Sequence, residues 1–282
     1  MEATRAVLVG CGGISRSWLD AIAPMPQVQL VGLVDLVRQN AEQRAAEYGL
    51  GDIYIGEDAS AAFAALQPDV VFNCTVPAAH LPVTLAALEQ GCHVLGEKPL
   101  ADSMAAARTM VQAAEEAGRL LAVIQNRRYD PRIRRVQAAV RSGVLGPLTT
   151  VHSDFFLGAH FGGFRDHMEH VLLLDMAIHS FDQARLITGA DPVSVYCHEW
   201  NPAGSWYDHD ASAVAIFELT GGLVYTYRGS WCAEGMNTSW ECSGRVIGPQ
   251  GTLLWDGFDQ IVGERVAATG SFISTLAPLD VP

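Results

Sequence analysis

Lysine is almost absent from this chain of 282 residues: of its eighteen basic residues, only Lys98 is a lysine. Positive charge is scarce altogether, 18 Lys and Arg against 31 Asp and Glu, for a formal net charge of −13. That balance argues against a dedicated nucleic-acid binder, because phosphate attraction needs a basic surface. No apolar run approaches the roughly 18 to 20 residues that span a bilayer, and the densest stretch, 171–178, is broken by Asp175. The acid at Glu2 and the glycines that follow Ala6-Val7-Leu8-Val9 do not fit a signal peptide, so a cytoplasmic protein without a membrane partner is expected. The six cysteines (Cys11, Cys74, Cys92, Cys197, Cys232 and Cys242) show no C-x-x-C pairing. A chain of this length needs no disulfide staples, so reduced and mostly buried thiols are expected. Apolar residues at 49% and charged residues at 17% exclude a disordered chain. The length is nearly twice that of an ordinary domain and predicts two.

The first 125 residues alternate short β-branched runs with helical stretches. Ala6–Val9, Val28–Val34, Ile53–Ile55, Val70–Val76, His93–Leu95 and Leu120–Ile124 read as strands, with helices such as Ser15–Ile22, Arg38–Tyr48, Leu81–Gln90 and Ser103–Ala117 between them. Gly49, Gly91 and Gly118 stand where helix C-termini need a cap. This rhythm predicts an α/β domain over 1–125, a Rossmann-type dinucleotide-binding fold with a parallel sheet. Over 126–282 the pattern changes. Helices at Pro131–Arg141 and about Val171–Ile187 flank a strand at Leu148–Phe156. From Pro192 onward only strands and turns follow: Val193–Glu199, Ala211–Leu219, Leu223–Trp231, Ser239–Ile247 and Thr252–Trp255. The second domain is therefore expected to be α+β with an open, mainly antiparallel sheet for substrate binding and oligomerisation.

The first strand ends in Gly10-Cys11-Gly12-Gly13-Ile14-Ser15 and runs at once into a helix, which fits G-x-G-x-x-G/A with Ser15 as the small third residue. The first glycine makes the turn, the second admits a pyrophosphate, and the helix N-terminus faces the anion. Asp35 closes the second strand where a carboxylate would accept hydrogen bonds from an adenosine ribose. NAD is the expected cofactor and NADP is disfavoured, although Arg38 stands three residues on, within reach of a 2′-phosphate.

Ligands bind at the carboxyl ends of parallel strands, and the fifth strand ends in Gly96-Glu97-Lys98-Pro99. A chain rich in Arg that has Lys at one position there points to a task for which a guanidinium, planar and always charged, is unsuited. Downstream, Asp175 and His179 lie four apart on the apolar second helix, on one face, with Asp182 three residues beyond. Removing hydride from a carbinol needs a base for the hydroxyl proton, and imidazole suits neutral pH.

In these pieces the chain resembles the Gfo/Idh/MocA family of oxidoreductases, which includes glucose-fructose oxidoreductase and inositol dehydrogenase. The matching segments are Gly10-x-Gly12-Gly13-Ile14-Ser15, Cys74-Thr75-Val76-Pro77-Ala78-Ala79-His80, Glu97-Lys98-Pro99 and Asp175-x-x-x-His179. The resemblance implies a nicotinamide-dependent dehydrogenase of a sugar, polyol or related hydroxyl compound. By that resemblance Lys98 binds the reacting oxygen, His179 exchanges the proton, and Asp175 positions the substrate or the imidazole. Thr75, Val76, Pro77, His80, Glu97 and Arg127 would line the cofactor. The family often carries Asn after the proline, where this chain has Ala78, and relatives usually continue beyond the point at which this sequence stops, Pro282. That end reads either as a compact form or as a truncation.

Five of nine histidines fall between 152 and 179, with Asp154 and Glu169 nearby, but their spacings match no common zinc pattern and no metal is expected. The segment from Gly158 to His170 reads either as a substrate loop, with Arg165 reaching polar or acidic substituents and Asp154 nearby, or as packing of Phe155, Phe156, Phe161 and Phe164. The aromatic Tyr225, Tyr227 and Trp231 resemble half of a sheet face that must be covered, so a homo-oligomer joined through the open sheet is expected. Two other readings keep the fold: a non-catalytic dinucleotide sensor, and a reductase of a carbonyl or enamine-type bond.

Overall fold

The computed structural model describes residues 3–270 and 272–281. The chain divides between Ile124 and Gln125 into two compact units.

The first unit runs β1 (Thr4–Val9), α1 (Ser15–Ile22), β2 (Val28–Val34), α2 (Arg38–Glu47), β3 (Tyr54–Gly56), α3 (Ala59–Leu66), β4 (Val70–Asn73), α4 (Pro77–Glu89), β5 (His93–Gly96), α5 (Met104–Ala117) and β6 (Leu121–Val123). All its strand pairs are parallel, in the order β3-β2-β1-β4-β5-β6. Strand alternation gives the sheet two apolar faces. Val7, Val9, Val71 and Val94 pack with Phe63 and Leu88 on one side, and Ala6, Leu8, Leu33 and Phe72 pack with Trp18 and Leu19 on the other. Buried on both faces, this is a doubly wound sheet whose order reverses between β1 and β4. That switch point gathers the carboxyl ends of β1, β2, β4 and β5, where the glycine loop, Asp35, the Thr75 turn and Lys98 begin.

The second unit contains a 3₁₀ turn (Asn126–Tyr129), α6 (Pro131–Arg141), β7 (Thr150–Phe156), a π-helical stretch (Leu172–Ala177) that leads into α7 (Ile178–Thr188), and then β8 (Pro192–Trp200), β9 (Ser212–Leu219), β10 (Val224–Ser230), β11 (Ser243–Gly248), β12 (Gly251–Trp255), β13 (Ile261–Ala268) and β14 (Thr275–Pro278). The strands form one sheet, β14-β13-β12-β11-β7-β10-β9-β8. It is mixed and mostly antiparallel. Consecutive strands pair antiparallel except at one place: β7 inserts between β10 and β11, and its pairing with β10 is parallel. One face is covered by helix. Val151 and Phe155 of β7 and Tyr225 and Tyr227 of β10 are buried there, with the Phe181 ring of α7 5.3 Å from that of Tyr227. On the other face His152, Asp154, Thr226 and Arg228 line a shallow concavity of about 830 Å³ with Leu254 and Val262. Tyr225, Tyr227 and Trp231 are therefore core residues under the helices, not part of the face left open, because strand alternation turns them to the α7 side.

Candidate active site

In the glycine loop, Gly10 has φ +94° and a Cβ there would stand 2.6 Å from the Cys74 carbonyl oxygen, so only glycine lets the β1 turn pass the β4 turn. A Cβ on Gly12 or Gly13 would meet nothing within 4 Å. The outer side of the loop is open backbone, and α1 begins with no side-chain cap and no acid in its first turn. Its positive end thus suits an anion, and these residues fit the pyrophosphate of a dinucleotide. Ser15 is buried and its hydroxyl donates to the Gly12 carbonyl at 2.6 Å, which tightens the loop.

Asp35 accepts from the Cys11 amide at 2.8 Å through Oδ2, and from the Val37 amide at 2.9 Å and Asn40 Nδ2 at 3.1 Å through Oδ1. Of the roughly four acceptor sites of a carboxylate three are used, so Oδ2 retains capacity for a ribose hydroxyl while the group also fastens the loop. Arg38 is drawn back along its own helix, donating to Glu42 at 2.8 Å and to the Ile55 carbonyl at 3.1 Å. Arg44 escaped the sequence reading. It is 5% exposed, pairs with Glu47, and donates to the carbonyls of Cys11 at 3.3 Å and Gly12 at 3.1 Å, a cation lodged beneath the glycine loop. Burial, and after it the Asp35 charge, pushes the Cys11 thiol up to about 12.

Past β4, the Thr75 hydroxyl donates to Asn73 Oδ1 at 2.6 Å, Val76 is exposed, and Pro77 opens α4. His80 differs from expectation. It is buried, with Nδ1 2.8 Å from the Pro99 carbonyl oxygen and Nε2 3.0 Å from that of Thr75. Both ring nitrogens are engaged by the chain itself, so His80 fastens the Thr75 turn to the segment after Lys98 and does not line the surface that a cofactor would touch. Glu97 accepts from the Trp18 indole at 2.7 Å and from the Lys98 amide at 3.1 Å, which fixes the backbone at the lysine.

In the second unit, Asp175 belongs to the π-helical stretch and His179 to the first turn of α7; both are buried. Arg165 grips Asp175 with two bonds, Nε to Oδ2 at 2.9 Å and Nη2 to Oδ1 at 3.2 Å. Its guanidinium is thus committed to the carboxylate and does not extend toward substrate substituents. His179 Nδ1 lies 3.1 Å from Gln125 Oε1. An amide oxygen only accepts, so Nδ1 carries the proton and the lone pair is on Nε2. Gln125 was missed because a glutamine after a strand has no chemical signature in sequence. Arg127 donates to the Trp240 carbonyl and stands 3.6 Å from Glu241, held within this unit. Burial lowers its pKa, and burial raises that of Glu241.

Asp154 is not part of this constellation. It pairs with Arg228 at 2.6 Å on the open face of the sheet, opposite to the face that carries α7. Strict alternation along β7 turns Asp154 away from its buried neighbours Ser153 and Phe155. The loop histidines also separate: His160 pairs with Glu234, His167 with Asp208 and His170 with Glu199. Among the described residues no group of three or more potential metal ligands gathers.

Residues 4–125 match the oxidoreductase-family NAD-binding Rossmann domain of GFO/IDH/MocA proteins, and residues 133–254 match the GFO/IDH/MocA C-terminal domain. An uncharacterized protein of Sinorhizobium fredii is 30% identical over 258 residues, covering 88% of this chain and 71% of its own. The D-glucoside 3-dehydrogenase of Escherichia coli is 30% identical over 208 residues, covering 71% of this chain but only 59% of that relative. Among solved structures, an oxidoreductase from Agrobacterium radiobacter in complex with NAD+, L-tartaric acid and magnesium superposes with a TM-score of 0.86 at 22% identity, over 98% of this chain and 79% of that one. Among the described residues no helix is long and apolar enough to cross a membrane.

Proposed function

Because the chain belongs to the GFO/IDH/MocA family of oxidoreductases, we propose that it transfers a hydride between NAD and a hydroxyl-bearing carbon of a sugar, polyol or related compound. The observation that carries this reading is the buried His179, whose Nδ1 is held by Gln125, one turn of chain after the Asp175 that Arg165 grips. An imidazole with a fixed tautomer, its Nε2 lone pair directed by a hydrogen bond at the other nitrogen, is the form a general base takes.

In the oxidation direction His179 takes the hydroxyl proton at Nε2, and the Gln125 amide oxygen stabilises the imidazolium that results. Asp175, held by the two bonds from Arg165, orients the substrate. Lys98, with its backbone fixed by Glu97, binds the oxygen on which negative charge develops as the carbonyl forms. A bound dinucleotide, its pyrophosphate held at the glycine loop and its ribose at Asp35, would supply the acceptor for the carbinol hydride. Read backwards, the same residues reduce a carbonyl.

Preference for NAD over NADP rests on Asp35. A 2′-phosphate would bring about two negative charges beside that carboxylate, and Arg38 is tied to Glu42 and Ile55. At 4 Å and an effective dielectric near 20, each like-charge pair costs roughly 4 kcal/mol before screening. The test is a cofactor-reduction screen over sugars, inositols and sugar acids with NAD and NADP in parallel. Turnover of a cyclic or linear hydroxyl compound with NAD favoured is expected. Absence of reduction across the panel, with NAD binding intact, would point to the sensor reading instead.

A further inference from the structure

The loop 158–170 carries two phenylalanines that the folded unit does not bury. Phe161 is 39% exposed and Phe164 46%, whereas Phe155 is fully buried. Packing therefore accounts fully for Phe155 and only in part for the loop pair. Both loop rings lie under the Arg165 guanidinium, at 4.9 and 4.8 Å, and that guanidinium holds Asp175. Trp240, 48% exposed, stands 6.2 Å from Phe161. Both rings rest on Trp231, at 5.0 and 5.6 Å, and Trp231 is 1% exposed. A buried third ring thus props two exposed ones outward.

The contacts close on the candidate site. His179 is bound to Gln125, Arg127 two residues later donates to the Trp240 carbonyl, Trp240 leads through Phe161 to Arg165, and Arg165 returns to Asp175. We propose that Phe161 and Trp240 form an aromatic subsite that receives an apolar ring joined to the sugar, so that the substrate class is a glycoside with an aryl or similarly flat aglycone. This rests on the dehydrogenase reading above. A pyranose must present its hydroxyl to His179 and is no wider than about one aromatic ring. Phe161 and Trp240 offer two rings with centroids 6.2 Å apart and tilted to one another, more aromatic surface than one pyranose face matches. A flat apolar group on the glycosidic oxygen reaches them and gains edge and stacking contacts.

The test compares phenyl and methyl β-D-glucopyranoside on the NAD-loaded full chain, with binding by calorimetry and tryptophan fluorescence and turnover by NADH absorbance. The phenyl glycoside is expected to bind about tenfold more tightly and to perturb tryptophan emission. In Trp240→Ala, and again in Phe161→Ala, the phenyl-to-methyl ratio of dissociation constants should fall toward one, and Trp240→Phe should restore part of it. Equal binding of the two glycosides by the native chain, binding of neither, or a ratio that survives in Trp240→Ala overturns the subsite. Oxidation of sugars without phenyl preference defeats this inference alone. Tight phenyl binding with no turnover of any sugar defeats the dehydrogenase reading and leaves the subsite standing.

Discussion

Lys98 carries the sharpest prediction at the scale of single residues. Lys98→Ala should lower kcat/KM by roughly 10² to 10⁴, the span of one acid-base or positioning group, with NAD affinity changed far less. Lys98→Arg should fail almost as badly, because charge is kept while the compact ammonium is not. Steady-state kinetics beside a cofactor titration checks both, and near-native turnover in Lys98→Arg would sink the argument from the lone lysine. Arg44 acts through the loop it supports. Arg44→Met should weaken NAD binding several-fold by releasing the Cys11 and Gly12 carbonyls, with recovery in Arg44→Lys only partial because one ammonium cannot reach both. Equal NAD affinity in Arg44→Met would leave it a purely structural side chain. The difference between Lys98 and Arg44 explains what sequence made legible. A glycine fingerprint, a strand-end lysine and a D-x-x-x-H spacing are local patterns. A buried arginine under a loop 32 residues away, or a glutamine that sets a tautomer, declares itself only once the chain is folded.

For elements, the parallel sheet was readable almost strand by strand, because burial on both faces leaves continuous β-branched runs between glycine-capped helices. β4 is shorter than its apolar run suggested, since Asn73 turns its side chain to Thr75 and Thr84 and ends the strand. In the second unit β13 and β14 went unseen: Ile261–Ala268 holds Gly263, Glu264 and Arg265, and a mostly exposed strand shows no apolar alternation. The parallel β7–β10 pair was equally hidden, because an inserted strand leaves no mark on the segments that flank it. A spacing of four between Asp175 and His179 presumes α-helical period, whereas the chain passes from π to α winding between them, and each side chain meets a different partner. Gly10→Ala tests the element geometry. Its Cβ at 2.6 Å from the Cys74 carbonyl, on a backbone at φ +94°, should cost roughly 2 to 4 kcal/mol. A denaturant midpoint unchanged by Gly10→Ala would mean that the β1 and β4 turns do not touch as described.

Over the whole molecule, exposure sorts the thiols. Cys11, Cys74, Cys92 and Cys242 are buried and Cys197 is exposed. Burial raises every one of the buried four, Cys11 and Cys242 to about 12, so at pH 8 almost no thiolate exists there. Iodoacetamide at pH 8 followed by mass spectrometry should label Cys197 first, with the buried four reacting only on unfolding; early labelling of Cys242 would contradict the core of the second unit. The open sheet face is where we propose that a second copy docks. Ile216, Leu254 and Val262 are 45%, 37% and 56% exposed there, and apolar residues spread across a broad sheet face are better explained by an interface than by solvent. Ile216→Arg with Leu254→Glu should convert an oligomer to monomers in sedimentation velocity, and a native chain that sediments as a monomer refutes the proposal.

The most direct test of the central claim is the pH dependence of kcat/KM for NAD reduction in native protein and in His179→Ala. A neutral imidazole that accepts the hydroxyl proton gives a rate that rises with pH until the ring is deprotonated and then levels. This limb should be present in the native chain and absent from His179→Ala, with NAD affinity retained in both. A rising limb that persists unchanged in His179→Ala would assign the proton to another group and contradict the role given to His179.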